Sequence, residues 1–512
     1  MPEASSSRPG AAAASAPFHL SDLDPARMVL DGFADSCLDP RRPVTSLSPG
    51  EHLASNPALF TSGGSWPRDV WADTALGVWI DGSMAETKTP LDLLDLCSMT
   101  CNTVLGINDP WVKLKQTAFL LSSHPHYLPA RIGSGLYYRT ARRILRCLDR
   151  FGEPGDFVIN LRQCNGSDAV ELALHAAWKA AADSPARRRL ATFDGSYHGE
   201  SVVGSLVMQD HSAEGSGRAL LDHVDNATSF PSPTCDEAGY LTPQALATLA
   251  TLERDGDSYF AVLIEPVQWR NSVHAIPLEF LRKLRDICTR KSICLIFDEV
   301  QNAFGYAGTI FFAQHCGVCP DIIATGKALT SGHGALGIVV AKKEFSAIET
   351  PFGGKTNSGD MLSFVAVDAV MDRLLGIDPD EAETLPAWLP PGLAADLRTG
   401  LLTTAYPVVA GLLDGLVTDL QRRFPSLLGP ATGLGLLRGL TMLDADGRPS
   451  GRLAGQAAKI CMRHGVYVRR AGTAVYLKPS LALRPADVDT ALIRLSRTFD
   501  ELCRLREEGP PS

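Results

Sequence analysis

The chain has no apolar run near the ~18 residues that a membrane-spanning helix needs, which excludes such a helix. It has no long lysine- or arginine-rich run either. The one cluster, Arg187-Arg188-Arg189, reads as a solvated helix end, and the formal charge is −9, so no nucleic-acid partner is expected. Repeated C-x-x-C pairs are also missing. The single instance, Cys316-Gly-Val-Cys319, lacks the partners that a zinc or redox site requires. It reads as two packed or surface thiols, and no metal site is expected. The 12 cysteines are scattered, as in a reducing compartment. Met1 to Pro17 is rich in Ala, Ser and Pro and has no basic stretch before an apolar core. It reads as a disordered tail rather than a secretory signal. There is no internal repeat. These absences together predict a soluble, cytoplasmic protein without a membrane partner.

What is present is ordinary globular material, 45% hydrophobic and 21% charged. A length of 512 residues suggests lobes around a shared site. From about Gly106 to Leu375, short apolar runs alternate with helical patterns. That alternation predicts an α/β domain with a mainly parallel sheet. The expected strands are Phe157–Leu161, Arg189–Phe193, Phe260–Ile264, Ile293–Phe297, Ile322–Ala324 and Gly337–Ala341. Helices are expected over Asp168–Ala182, Leu278–Lys291 and Met361–Leu374. Trp79-Ile80-Asp81-Gly82 reads as a strand ending in a turn, and the Pro-rich, acidic stretch 376–393 as an insertion or linker. The domain reading is a tail over 1–17, an N-terminal segment over 18–105 belonging to a smaller domain, a large domain over 106–375, and a C-terminal small domain over 376–512.

Several residues sit where such a sheet places chemistry. Lys327 follows the strand-like Asp321-Ile-Ile-Ala-Thr-Gly, and a lysine shielded from water can attack an aldehyde. Asp298 ends a buried strand, where a carboxylate points into a ligand crevice; a helix cap is the plainer alternative. Gly166-Ser167-Asp168 opens a helix after a strand, a place that suits a phosphate, although Ser and Asp are also common caps. Tyr197-His198-Gly199 follows another strand and offers an aromatic that could stack on a flat ring or simply pack in the core.

Together these pieces resemble the class III aminotransferases of the ornithine and lysine ε/ω type, which are fold-type I enzymes of pyridoxal 5′-phosphate (PLP). The resemblance rests on Asn165-Gly-Ser-Asp-Ala-Val-Glu171, Phe193-Asp-Gly-Ser-Tyr-His-Gly199, Ile264-Glu-Pro-Val-Gln268, Ile296-Phe-Asp-Glu-Val-Gln301 and Pro320-Asp-Ile-Ile-Ala-Thr-Gly-Lys327, in family order. Met28-Val-Leu-Asp-Gly-Phe33 and the segment Asn102 to Pro110 look most like the lysine ε branch. The resemblance implies roles. Lys327 would carry PLP as a Schiff base and shuttle the proton. Asp298 would pair with the pyridine nitrogen. Tyr197 and Val300 would lie on the two ring faces, and Gln301 would reach the ring hydroxyl. Gly166 and Ser167 would hold the phosphate beside His198, and Glu265 would support the site from behind. Thr356 of a neighbouring subunit would reach the phosphate, with Thr350 the weaker candidate, which implies a homodimer. The substrate would be a small amino compound, and transamination the reaction.

The departures fall on substrate residues. Tyr476 stands where many members have a carboxylate-binding arginine, and Lys478 is nearby. Arg270, after Trp269, takes the place of that arginine's glutamate partner. Glu200 and Tyr306 each stand where arginine is usual. One reading is that Arg270 binds an anionic group on the substrate while Glu200 or Trp269 meets a cationic or flat group. The other is remodelled surface. The changes also admit non-transaminase PLP chemistry in specialised biosynthesis: β/γ-elimination, γ-replacement, carbon–carbon bond formation or decarboxylation. A non-catalytic scaffold on the same fold is the remaining alternative.

Overall fold

The computed structural model describes residues 70–84, 87, 89–129, 131–153, 155–199, 201, 203–204, 226–345 and 355–507. The tail 1–17, the Met28–Phe33 motif, Glu200 and Thr350 lie outside them. Seven strands form the central sheet. In spatial order they are Phe157–Gln163, Gly337–Lys342, Ile322–Thr325, Cys294–Asp298, Tyr259–Ile264, Arg189–Phe193 and Ala227–Phe230. All run the same way except Gly337–Lys342, which is antiparallel to both its neighbours. Tyr259–Ile264 and Cys294–Asp298 are buried along their whole length. That explains their unbroken apolar runs, since helices cover both faces of a parallel sheet.

The second lobe joins both chain ends. Pro90–Asp95 pairs in parallel with Val466–Tyr467, which completes a sheet begun by Val70–Leu76 and Trp79–Met84. Asp81-Gly82 therefore continues a strand, where a turn was expected, because both residues pair across to Asp92 and Leu91. A further sheet orders Leu428–Leu434, Leu437–Met442, Ala474–Leu477 and Arg469–Ala471, and the helix Pro485–Glu507 follows it. The stretch 376–393 differs from the linker expectation. It carries the helix Pro379–Glu383 and leads into Pro391–Thr399. Leu389 and Leu397 are buried there, and Glu381 pairs with Arg139. Pro379 and Pro391 serve as helix starts at the first turn, where a missing N–H costs nothing. Among the described residues, no helix is long and apolar enough to cross a membrane.

Candidate active site

Five loops leave the C-terminal ends of parallel strands and meet in one crevice, the place where open α/β sheets bind ligands. The loop after Phe157–Gln163 delivers Gly166 and Ser167, and the loop after Arg189–Phe193 delivers Tyr197 and His198. Glu265 follows Tyr259–Ile264, Asp298 ends Cys294–Asp298, and Lys327 follows Ile322–Thr325. The resulting cavity of about 340 Å³ is lined by Gly166, Ser167, Tyr197, Asp298, Val300 and Lys327, among others.

Lys327 has a left-handed backbone, φ 44°, which a residue with a side chain rarely adopts. Its amine lies 5.9 Å from the Tyr197 ring centroid. Asp298 is buried and accepts from the Val300 backbone N–H at 3.1 Å. His198 Nδ1 lies 2.8 Å from the Asp298 carboxylate, and both side chains are buried. Glu265 is also buried and accepts from the Tyr197 N–H at 2.7 Å. Burial, and next the nearby Asp298 charge, push the Glu265 carboxyl well above its ordinary range.

Glycine lets these loops approach one another. A Cβ on Gly166 would lie 2.7 Å from one Val300 methyl and 2.9 Å from the other. A Cβ on Gly199, at φ +95°, would strike the Ser167 hydroxyl. The helix Gly166–Ala180 is capped by Asn165, whose side chain accepts from the Asp168 N–H at 2.9 Å. The Asx cap is therefore Asn165, which leaves the N–H groups of Gly166 and Ser167 facing the cavity end with the helix dipole behind them.

PLP needs an amine, a carboxylate for its ring nitrogen, a phosphate cradle and a flat slot. The donor set here supplies each of them. The two glycine contacts show how closely the loops that line the cavity pack, with no room for an added methyl at either place. The residues present fit the cofactor.

The substrate side is assembled differently. Turned so that both donors are satisfied, the Gln301 amide oxygen accepts from Lys327 Nζ at 2.6 Å and from Trp269 Nε1 at 3.2 Å. Trp269 meets the Tyr197 ring edge-on at 5.6 Å and the Tyr476 ring at 6.3 Å. Arg270 lies over Tyr197, 5.4 Å from its centroid, and Arg469 over Trp269 at 5.5 Å. Tyr476 is buried at 1% exposure and its hydroxyl is 3.3 Å from Cys101 Sγ, so it belongs to the core behind Trp269 rather than to the cavity lining. It was expected among the substrate-contacting residues, and here it packs against Trp269 at the back of that side. The reason is positional: it pairs inside the sheet opposite Gly439 and Arg469. Thr356 sits exposed on the turn Thr356–Gly359, outside the cavity lining, and its carbonyl accepts from Tyr127 at 2.7 Å.

Three participants are not singled out by the sequence. Asn102 lines the cavity. It opens a segment already conspicuous for its family likeness, which is the available signal. Arg469 has none, because nothing in its neighbourhood marks it as lying beside Trp269. The turn before Asn102 is equally invisible. Ser98, Met99, Thr100 and Cys101 all adopt left-handed φ, from 45° to 70°. Such a conformation costs about 1–2 kcal/mol per residue. Asp95 holds the turn, accepting from the Cys97 N–H at 2.8 Å and the Met99 N–H at 2.7 Å. Burial pushes its carboxyl up to about 6, against the lowering effect of these backbone donors. Cys316 and Cys319 donate to neighbouring carbonyls and are free thiols.

Comparison with known proteins places this geometry. The family model for class-III aminotransferases matches residues 82–382, more than half of the chain. An acetylornithine aminotransferase of Prochlorococcus marinus is 32% identical over 252 residues, covering 49% of this chain and 54% of that relative. The matched region thus spans about half the length of the first such relatives. An omega-aminotransferase of Caulobacter vibrioides is 27% identical over 84% of this chain and 93% of its own. Among solved structures, an amine transaminase from an uncultivated Pseudomonas species, in its PLP-bound form, superposes with a TM-score of 0.68. Its identity is 23%, and the match covers 86% of this chain and 98% of that one. A taurine:2-oxoglutarate aminotransferase from Bifidobacterium kashiwanohense, in complex with PLP and glutamate, gives a TM-score of 0.72 at 19% identity, covering 90% and 100%. By the extent of the family match, the chain belongs to the class-III aminotransferases, PLP-dependent transferases of fold type I.

Proposed function

We propose that this protein transfers an amino group from an amine or amino acid whose far end carries an anionic group. The observation that carries the reading is the convergence of Lys327, the Asp298–His198 pair and the Gly166 helix start on one cavity. Bound there, PLP supplies an electron sink for the substrate carbon next to nitrogen. Lys327 would take the proton from that carbon and return it to the cofactor's C4′. Asp298, held by His198 and the Val300 N–H, would pair with the pyridine nitrogen. Tyr197 and Val300 would flank the ring. Gly166 and Ser167 would hold the phosphate, together with Thr356 of a second copy in a homodimer. The relatives' names, which speak of acetylornithine and omega-amino transfer, agree with this reaction type.

The position expected to bind a carboxylate cannot supply a cation, because Tyr476 is buried with its hydroxyl on Cys101. Arg270 and Arg469 lie over the Tyr197–Trp269 pair, where they could meet an anionic group. Removing that arginine shifts where an acid group would anchor. This favours, as a second reading, a specialised biosynthetic reaction such as γ-replacement or carbon–carbon bond formation.

The test mixes purified holoprotein with a panel of amines and amino acids carrying carboxylate, phosphate or no anion. The cofactor spectrum is followed and products are identified by mass. Conversion to the pyridoxamine form with release of a carbonyl product is expected. A rearranged product without amino transfer supports the second reading. No spectral response to any donor would defeat both.

A further inference from the structure

Lys478 is a fully buried lysine that the chemistry above does not use. Taking an ammonium group out of water is costly unless it is matched by strong acceptors. Among the described residues Lys478 makes no ion pair. Its ammonium donates to one peptide carbonyl, that of Gln301, at 2.5 Å. It also sits 3.4 Å from the centroid of the Tyr306 ring, a cation–π contact. The groups facing it are Cys97, just before the left-handed turn, Cys101 within that turn, which shares a side-chain hydrogen bond with it, Tyr306, and Lys327 across Gln301. Burial lowers its pKa to about 8.

A lysine that served packing alone would be cheaper as leucine or methionine. The feature that distinguishes this site is the residue it grips. The backbone oxygen of Gln301 is held by Lys478, while its side-chain oxygen gathers Lys327 and the Trp269 indole. Gln301 itself is 4% exposed, so both ends of one residue are fixed. Trp269 in turn abuts Tyr197 and underlies Arg469.

We infer that Lys478 is a positioning residue: by clamping the Gln301 carbonyl it sets the Gln301 amide that orients Lys327 toward the cofactor and Trp269 toward the substrate. The inference rests on Lys327 being the cofactor lysine, and it concerns alignment rather than the identity of the reaction.

The test uses purified holoenzyme and visible circular dichroism, normalised per bound cofactor and measured well below the melting temperature. This signal reports how asymmetrically the chain holds the cofactor, and lost packing alone does not move it. Lys478→Met keeps the side-chain bulk against Tyr306 and deletes the donor. It should lose about half or more of the signal. Lys478→Gln keeps an amide donor but is one atom shorter, and should fall between Met and wild type. If the methionine variant does not fold, the glutamine variant carries the test alone. Wild-type dichroism in either folded variant overturns the inference, whatever happens to its melting temperature. Loss of amino transfer without loss of dichroism would count against it too. A wild type with no cofactor band would overturn the cofactor assignment, and this inference with it.

Discussion

The inner wall of the pocket, from Gly166 to Lys327, hangs on successive strand ends of one sheet, whereas the outer wall presents Asn102 and Gln301 to the cavity and is backed by Trp269, Arg469 and Lys478. On the inner wall each functional side chain follows a strand by a few residues. Its position is set by where an apolar run stops. On the outer wall no segment predicts its neighbour, and a charge can move between segments without disturbing the sheet. Tyr476 and Arg469 illustrate this: they face each other across one strand pair, and the cation stands on the second. A fold of this kind can keep its cofactor apparatus while its substrate wall is rewritten.

Attacking the inner wall should produce the largest effects. Lys327→Ala removes the amine that bonds the cofactor and moves the proton. Turnover should fall on the order of 10²–10⁴-fold or more, with loss of the covalently linked cofactor band in the absorption spectrum. Retained turnover would defeat the assignment of Lys327. Next comes Gly166→Ala, which drives a methyl into Val300. Overpacking of this kind costs about 1–3 kcal/mol. It should appear as weaker cofactor retention on dialysis, with little change in KM for the amino donor.

The outer wall should respond by substrate class. Arg270→Ala and Arg469→Ala are each expected to raise KM about tenfold, near 1.4 kcal/mol, for donors with an anionic far end. Cofactor retention and turnover of neutral amines should be unaffected. Equal changes for both donor classes would remove the anion-binding role.

The smallest effect is a pH dependence behind the inner wall. Burial raises the Glu299 carboxyl from 4.5 to about 8, although the Ala313 and Phe312 N–H groups partly offset this. A group whose folded pKa is raised gives stability that is complete below its unfolded value and is lost as pH rises through the folded one. The wild type should therefore lose melting temperature as pH rises from about 4.5 to about 8, with no further loss from this group above that. Glu299→Gln should flatten that decline. An unchanged slope would place the titration elsewhere.

Much of the inner wall is legible in the sequence. Short apolar runs with β-branched residues, closed by Asp298, Glu265 or Thr-Gly-Lys327, name both the strand and what it presents, because a buried parallel strand tolerates polarity only at its end. The Asn165 cap shows the limit of that legibility. The sequence offers Ser167 and Asp168 as equal capping candidates, and only the folded chain shows which side chain meets the Asp168 N–H. The stretch 376–393 departs from its linker expectation for a related reason. Proline signals a break in local order, but Leu389 is buried within this stretch and Glu381 pairs with Arg139, 242 residues away in sequence.

By itself, the sequence determined six of the seven central strands, missing Ala227–Phe230, together with the polar residues at their ends and the family likeness, since these follow from local periodicity and short motifs. Tertiary structure alone decided that Tyr476 turns inward, that Arg469 crosses to Trp269, that four left-handed residues precede Asn102, and that Lys478 grips Gln301. The physical reason is that each of these depends on desolvation and contact between segments tens to hundreds of residues apart. A buried cation or a strained turn is stable only when the rest of the fold supplies its partners.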